Sequence, residues 1–246
     1  RRCDEKSNRI IHEYCFQPIR YKFNKLPYEK DRPKKQNTLF MGIELEVETP
    51  KNMDRTASAK KFAEFLKEKK LDKTFYFKED ASINGFEIVS HPMTLKYAHK
   101  NIQWKEMLTF LSKSGCLSYK AGNCGLHVHL DRNFFKGQQD AMKMKLFFNY
   151  CYPWIRKFSL RTDTQFCKRE NYQFYHYTSN QEGSSTKYLA LNCSTNKGTY
   201  EIRIFRGNLN PRRFIAYLQF SDAVAYFIKE YSFMNFRHRG SGEERR

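Results

Sequence analysis

The chain has 246 residues, 40% hydrophobic and 16% aromatic, which suffices for one sizeable core and argues against wholesale disorder. No run of about 18 apolar residues occurs, so a membrane-spanning helix and a membrane partner are not expected. A net charge of +19 calls for a nucleotide, a nucleic acid or another polyanion as partner, or else serves solubility.

Residues 1–38 hold eleven Lys/Arg against five Asp/Glu and show no sustained period. They read as a basic extension packed partly on the core through Tyr14, Phe16, Tyr21 and Phe23. Cys3, His12 and Cys15 are candidate remnants of a zinc-binding module, short of the four ligands that a structural zinc site needs. From Leu39 to Thr49 the residues alternate, with Met41, Ile43, Leu45 and Val47 on one face and Glu44, Glu46 and Glu48 on the other, the pattern of a half-buried strand. Asp54–Lys70 spaces Ala59, Phe62, Ala63 and Leu66 as an amphipathic helix does. Short strands follow near Thr74–Lys78 and Phe86–Ser90, and Thr94 caps one helix carrying the stripe Trp104, Met107, Leu108 and Leu111 as far as Gly115.

Gly125–Asp131 alternates again, and Gln138–Phe158 reads as a helix bent near Pro153. Residues 159–187 lack a period and read as a long functional loop. Tyr188–Ser194 and Thr199–Phe205 form a predicted hairpin, and Asn210-Pro211 starts the last helix, with Phe214, Leu218, Ala225 and Ile228 buried. The tail 236–246 is charged and expected to be mobile. Seven cysteines, odd in number and without regular spacing, fit a reduced, cytoplasmic protein. The start at Arg1 suggests a piece of a longer or processed chain.

The polar strand faces carry the chemistry. Glu44, Glu46 and Glu48 share one face, His127, His129 and Asp131 another, Glu201 and Arg203 a third, and Glu87 adds a carboxylate to a short apolar strand. Each pattern alone has a plain reading as a solvated face or a cross-strand ion pair. Gathered in one sheet, the carboxylates would repel one another unless a cation sat among them. Glu oxygens with one imidazole suit Mg2+ or Mn2+, and Arg203 beside them suits a phosphoryl group.

In the motifs Met41-Gly-Ile-Glu-Leu-Glu-Val-Glu48, Glu79-Asp-Ala-Ser-Ile-Asn-Gly-Phe-Glu-Ile-Val-Ser-His-Pro92, Cys124-Gly-Leu-His-Val-His-Leu-Asp131 and Tyr200-Glu-Ile-Arg-Ile-Phe-Arg206, the chain resembles the amidoligases of the glutamine synthetase and glutamate–cysteine ligase superfamily. The segment Ile10-Ile-His-Glu-Tyr14 resembles the lead-in before the first motif. The resemblance implies an α+β, glutamine synthetase-like catalytic domain over 39–235, with a curved, mainly antiparallel sheet and helices on its convex face. It implies ATP and two divalent metals, Mg2+ or Mn2+, with Glu44, His127 and Glu201 at one metal and Glu46 and Glu87 at the other. His129 would contact nucleotide phosphate, Arg203 would stabilise the transferred phosphoryl group, and Asp80 and Ser82 would support the site. Glu48 is a candidate base for the amine.

The implied partners are a carboxylate donor and an amine acceptor. The chain is much shorter than glutamine synthetase and lacks an evident counterpart of its ammonia-site loop, which leaves the acceptor open among larger amines, peptides and proteins. A competing reading keeps the fold for nucleic-acid binding or a virion-associated role, drawing on the +19 charge and the aromatics Phe166, Tyr172, Phe174, Tyr175 and Tyr177. Metal-dependent hydrolysis would use the same ligands but give Arg203 less to do.

Overall fold

A computed structural model describes residues 9–14, 38–162, 165, 167–169, 188–193 and 198–232. Among them are seven strands: β1 (Ile11–His12), β2 (Met41–Glu48), β3 (Phe75–Lys78), β4 (Gly85–Ser90), β5 (Gly125–Asp131), β6 (Leu191–Asn192) and β7 (Thr199–Arg206). They form one sheet in the order β1-β3-β4-β2-β5-β7-β6, antiparallel throughout except for the parallel β1–β3 pair. Six helices complete this mixed α+β architecture: α1 (Arg55–Glu68), α2 (Leu95–Asn101), α3 (Trp104–Lys113), α4 (Gln138–Tyr150), α5 (Tyr152–Phe158) and α6 (Pro211–Glu230).

Local sequence sets the helix starts. The Asp54 carboxylate accepts from the backbone N–H groups of Thr56 and Ala57, the Thr94 hydroxyl from Tyr97, and the Asn210 side chain from Arg213, each satisfying a donor that the first turn leaves open. Pro211 occupies the first turn of α6, where its missing N–H costs nothing.

The expected single helix after Thr94 is two. The chain leaves the helix at Ile102, whose backbone is extended, and the Trp104 indole N–H donates to the Ala98 carbonyl at 2.9 Å, using an acceptor that the break releases. The expected bent helix over 138–158 is likewise two, parted at Cys151. Pro153 fits the first turn of α5 but would clash with a preceding helical carbonyl, so the chain restarts there. Strand β1 had no forecast, because two residues are too few for a period and their partner lies far along the chain.

The apolar side of the sheet meets the helices. Phe62 of α1 packs on Phe77 of β3, Phe205 of β7 stacks on Tyr217 of α6 at 4.6 Å, and Trp104 of α3 lies between Phe75 and Phe214. Val47, Leu126, Val128, Ile202 and Ile204 are fully enclosed in this layer, where truncating one large aliphatic side chain typically costs about 2–5 kcal/mol. Lys143 of α4 donates to the Ile228 and Tyr231 carbonyls at the end of α6 and pairs with Asp140 at 2.7 Å, which fixes α4 against α6.

Tyr14 is exposed, contrary to the expected packing. The other contacts assigned to the extension, Cys3 and Cys15 of the zinc idea, most of the 159–187 loop with its aromatics, the 194–197 turn and the 236–246 tail lie outside the described residues. No helix among the described residues is long and apolar enough to cross a membrane.

Candidate active site

Strand pairing brings the polar residues into rows on one face, because directly opposed residues point to the same side. One row runs His12, Lys78, Glu87, Glu46 through β1, β3, β4 and β2. Gly125 of β5 continues it, donating its N–H to a Glu46 carboxylate oxygen at 2.5 Å and pairing with Arg206 of β7. The next row runs Tyr76, Val89, Glu44, His127, and a third runs Gly42, His129, Glu201, Asn192. Two glycines on this face leave space above it. A Cβ on Gly125 would stand 3.0 Å from the His127 Nε2.

A bulge shapes the β7 side. Leu126 pairs with Phe205 and Val128 with Ile202, so the single residue His127 faces both Arg203 and Ile204. Strict alternation over 199–205 therefore does not hold. The extra residue turns Phe205 into the core and leaves Arg206 on the polar side opposite Gly125. There Arg206 donates to the Tyr119 carbonyl at 2.8 Å and lies over the Tyr119 ring.

Glu44, Glu46, Glu87, His127, His129 and Glu201 are all buried, and Arg203 is partly so. The His129 Nε2 stands 3.3 Å from a Glu44 oxygen and 3.9 Å from a Glu201 oxygen. The His127 Nδ1 stands 3.6 and 3.5 Å from the same two oxygens, and its Nε2 is 3.7 Å from Glu46. Arg203 pairs with Glu201 at 2.5 Å. Two sets could hold a metal ion, each with ligand atoms within 4.8 Å of one another: Glu44, His129 and Glu201, and Glu46, Asp80 and Glu87.

These sets differ from the sequence expectation in two residues. His129 stands in the first set because the Thr199 hydroxyl engages its Nδ1 at 2.9 Å, which turns Nε2 toward Glu44. Asp80, expected only to support the site, contributes its carboxylate to the second. One of its oxygens accepts from the Ser82 N–H at 2.6 Å, and the Asp-x-Ser spacing was the available signal. Lys78 and Arg206 were missed as residues of this face. Glu48 sits at the half-buried end of β2, with its backbone paired to Leu117.

The electrostatics describe a centre short of positive charge. Burial, reinforced by Glu44 and Glu46 and opposed by Lys78, pushes the Glu87 carboxyl up to about 9. Burial would raise Glu201 too, but the charges of His129, His127 and Arg203 outweigh it and hold that carboxyl below its ordinary value. One Glu87 oxygen, the His127 Nδ1 and the His129 Nε2 are buried and lack hydrogen bonds. Buried polar atoms without hydrogen bonds, converging with carboxylates, fit a divalent cation of the Mg2+ or Mn2+ kind.

Fold and site define a class: an α+β protein with an acidic, histidine-containing centre on the polar face of a mostly antiparallel sheet. The family model described as putative amidoligase enzyme matches residues 47–225, more than half of the chain, and the protein belongs to that family. Glu87, His127, His129, Glu201 and Arg203 fall inside the match, and Glu44 and Glu46 just before it. Membership places the chain among ligase-type enzymes with carboxylate and amine substrates. A search of curated proteins found no match.

Proposed function

We propose that the chain is an ATP-dependent carboxylate–amine ligase, with a glutamine synthetase-like catalytic domain over residues 39–235. The reading rests on one observation: two sets of ligands gathered at a single sheet face, all buried but the half-buried Asp80, with Arg203 hydrogen-bonded to Glu201 of the first. A nucleic-acid-binding surface has no use for such an arrangement.

The donor carboxylate attacks the γ-phosphorus of ATP, the bond from that phosphorus to the bridging oxygen breaks, and ADP departs to leave an acyl phosphate. The amine then adds to the acyl carbon, the carbon–oxygen bond to phosphate breaks, and inorganic phosphate leaves. Glu48, at the open end of β2, takes the proton that the nitrogen sheds. Glu44, Glu201 and His129 would hold one divalent cation and Glu46, Glu87 and Asp80 the other, with His127 between the sets, and the cations would supply charge neutralisation at the phosphates. Arg203 is held by a hydrogen bond to Glu201, so its guanidinium is preorganised to stabilise charge developing on the phosphoryl oxygens.

The test is to incubate the protein with ATP, Mg2+ or Mn2+, hydroxylamine and a panel of carboxylic acids. Hydroxamate and an equal amount of ADP are expected with at least one acid, and neither with the Glu44→Gln variant. If no acid yields ADP and hydroxamate, the ligase reading is wrong.

A further inference from the structure

Trp154 is 70% exposed and Tyr150 63%, whereas the other tryptophan of the chain, Trp104, is buried in the core. Both exposed rings flank the joint between α4 and α5. Phe148, Tyr152 and Ile155 turn inward there at helical spacing, which leaves Tyr150, Trp154 and Lys157 on the outer side. Burying rings of this size would stabilise the fold by removing apolar area from water, so the packing of the chain does not account for their position.

Cations surround the two rings. The Tyr152 hydroxyl donates to the Cys167 carbonyl at 3.0 Å and Arg169 donates to the Asn149 side chain at 2.7 Å, which ties residues 167–169 to the joint and sets the exposed Lys168 and Arg169 beside it. Arg156, also exposed, is anchored by the Arg161 and Thr162 carbonyls at 3.1 and 2.9 Å. Burial raises the Tyr152 hydroxyl against the charges of Arg156, Arg169 and Arg161, all of which reach it. Residues 141–169 hold seven Lys/Arg, of which Lys143 and Arg161 are buried, against the single acid Asp163.

We propose that the α4–α5 joint is a binding surface for single-stranded nucleic acid, with Trp154 and Tyr150 stacking on bases and Lys157, Lys168 and Arg169 meeting phosphates. This activity is separate from the ligase reading and does not depend on it. Exposed rings set among cations match a strand that offers flat π faces at intervals between negative charges. A second copy of the chain would bring the same cations to the contact, with +19 against +19. An acidic polypeptide would satisfy the cations but leave the rings without a stacking partner. The excess of positive charge over residues 141–169 supplies the attraction, and the rings supply the preference for bases.

Binding is measured by fluorescence anisotropy at about 0.15 M salt with three labelled probes: an oligothymidylate of about 20 residues, a strand of the same length built of abasic residues, and poly-L-glutamate of matched charge. The oligothymidylate is expected to bind tightest, because the abasic strand carries the phosphates without the bases. Trp154→Ala is expected to weaken it at least about fivefold, the low end of what one base–ring stack contributes, and to leave the abasic strand unchanged. Trp154→Phe keeps a ring and should recover part of the loss, while the quenching of tryptophan emission by the oligothymidylate seen in the parent disappears. Lys168→Gln and Arg169→Gln should each lower the slope of log affinity against log salt by about 0.7. Because both rings are exposed, the parent Tm is expected in every ring variant, and Tyr150→Ala carries the test if Trp154→Ala does not fold. Absence of oligothymidylate binding to the parent overturns the proposal, as does equal binding of the abasic strand or parental affinity in both ring variants. Poly-L-glutamate binding that is as tight and as dependent on Trp154 overturns it too, and assigns the surface to an acidic polypeptide.

Discussion

Glu46 and Glu87 face each other as cross-strand partners on β2 and β4, both buried and both on the polar side of the sheet. Two carboxylates so placed cannot both carry full charge without a counter-ion, and Glu87 is the one pushed up to about 9. At neutral pH and without metal it holds a proton that a divalent cation must displace.

Metal binding is therefore expected to release protons. Titration calorimetry with Mn2+ in two buffers of different ionisation enthalpy should show close to one proton released at pH 7 for the metal bound at the Glu46, Glu87 and Asp80 set. The affinity should rise about tenfold per pH unit below pH 9 for a single displaced proton. Metal affinity independent of pH between 6 and 8 would contradict the assignment of Glu87.

Stability without metal should carry the same signature. The folded value of Glu87 lies above its ordinary value of 4.5, so its contribution is fully present below about pH 4.5 and is lost as pH rises toward 9. Glu201, held low, works in the other window: its contribution is present above the ordinary value and fades as pH falls through the depressed one. Glu87→Gln imitates the protonated carboxyl at every pH. Its Tm is expected to match the parent near pH 5 and exceed it increasingly toward pH 9, with Mn2+ binding at the Glu46, Glu87 and Asp80 set lost throughout. A constant difference in Tm across that range would sink the idea.

Two glycines separate fold from site. A Cβ on Gly85 would stand 1.9 Å from the Val47 carbonyl oxygen, and the clash is with backbone that cannot yield. Gly85→Ala is expected to destabilise by about 3 kcal/mol or more, at or beyond the upper end of overpacking costs. At Gly125 the Cβ would meet the His127 ring at 3.0 Å and a Glu46 oxygen at 3.5 Å. Gly125→Ala should keep most of the parent Tm and lose metal affinity. Thermal melts and Mn2+ binding on the two variants check the contrast.

Much of this site was legible because a period of two is a strong signal. In Met41–Glu48 and Gly125–Asp131 the change of polarity at each residue fixes which side chains share a face. What escaped depends on pairing over long separations. Ile204 and Phe205 are both apolar, so nothing in Thr199–Arg206 marks the bulge that turns Phe205 inward and Arg206 outward. Lys78 reads as an ordinary strand-end lysine until its register opposite Glu87 is known. Asp80 lies in a turn, where residue type does not tell direction, and only the position of Glu46 and Glu87 gives its carboxylate a role. The helix breaks at Ile102 and Cys151 were hidden because the apolar stripe continues across each.

Arg203 carries the last prediction, since the bulge places it opposite His127 and Glu201 fixes its guanidinium. A contact made chiefly in the transition state should affect turnover more than nucleotide affinity, so Arg203→Ala is expected to lower kcat by about 10²–10³ with a far smaller change in ATP binding. Lysine keeps the charge but loses the planar fork, and a point charge cannot both hold Glu201 and face a phosphoryl oxygen. Arg203→Lys should therefore recover little. Because Arg203 also neutralises Glu201, metal affinity has to be measured in each variant, so that a fall in turnover through lost metal is distinguished from lost phosphoryl stabilisation. Hydroxamate formation from ATP and hydroxylamine at saturating Mn2+ gives the activation step directly. Parental rates of hydroxamate formation in Arg203→Ala would remove the residue from the phosphoryl transfer and leave it as a structural partner of Glu201.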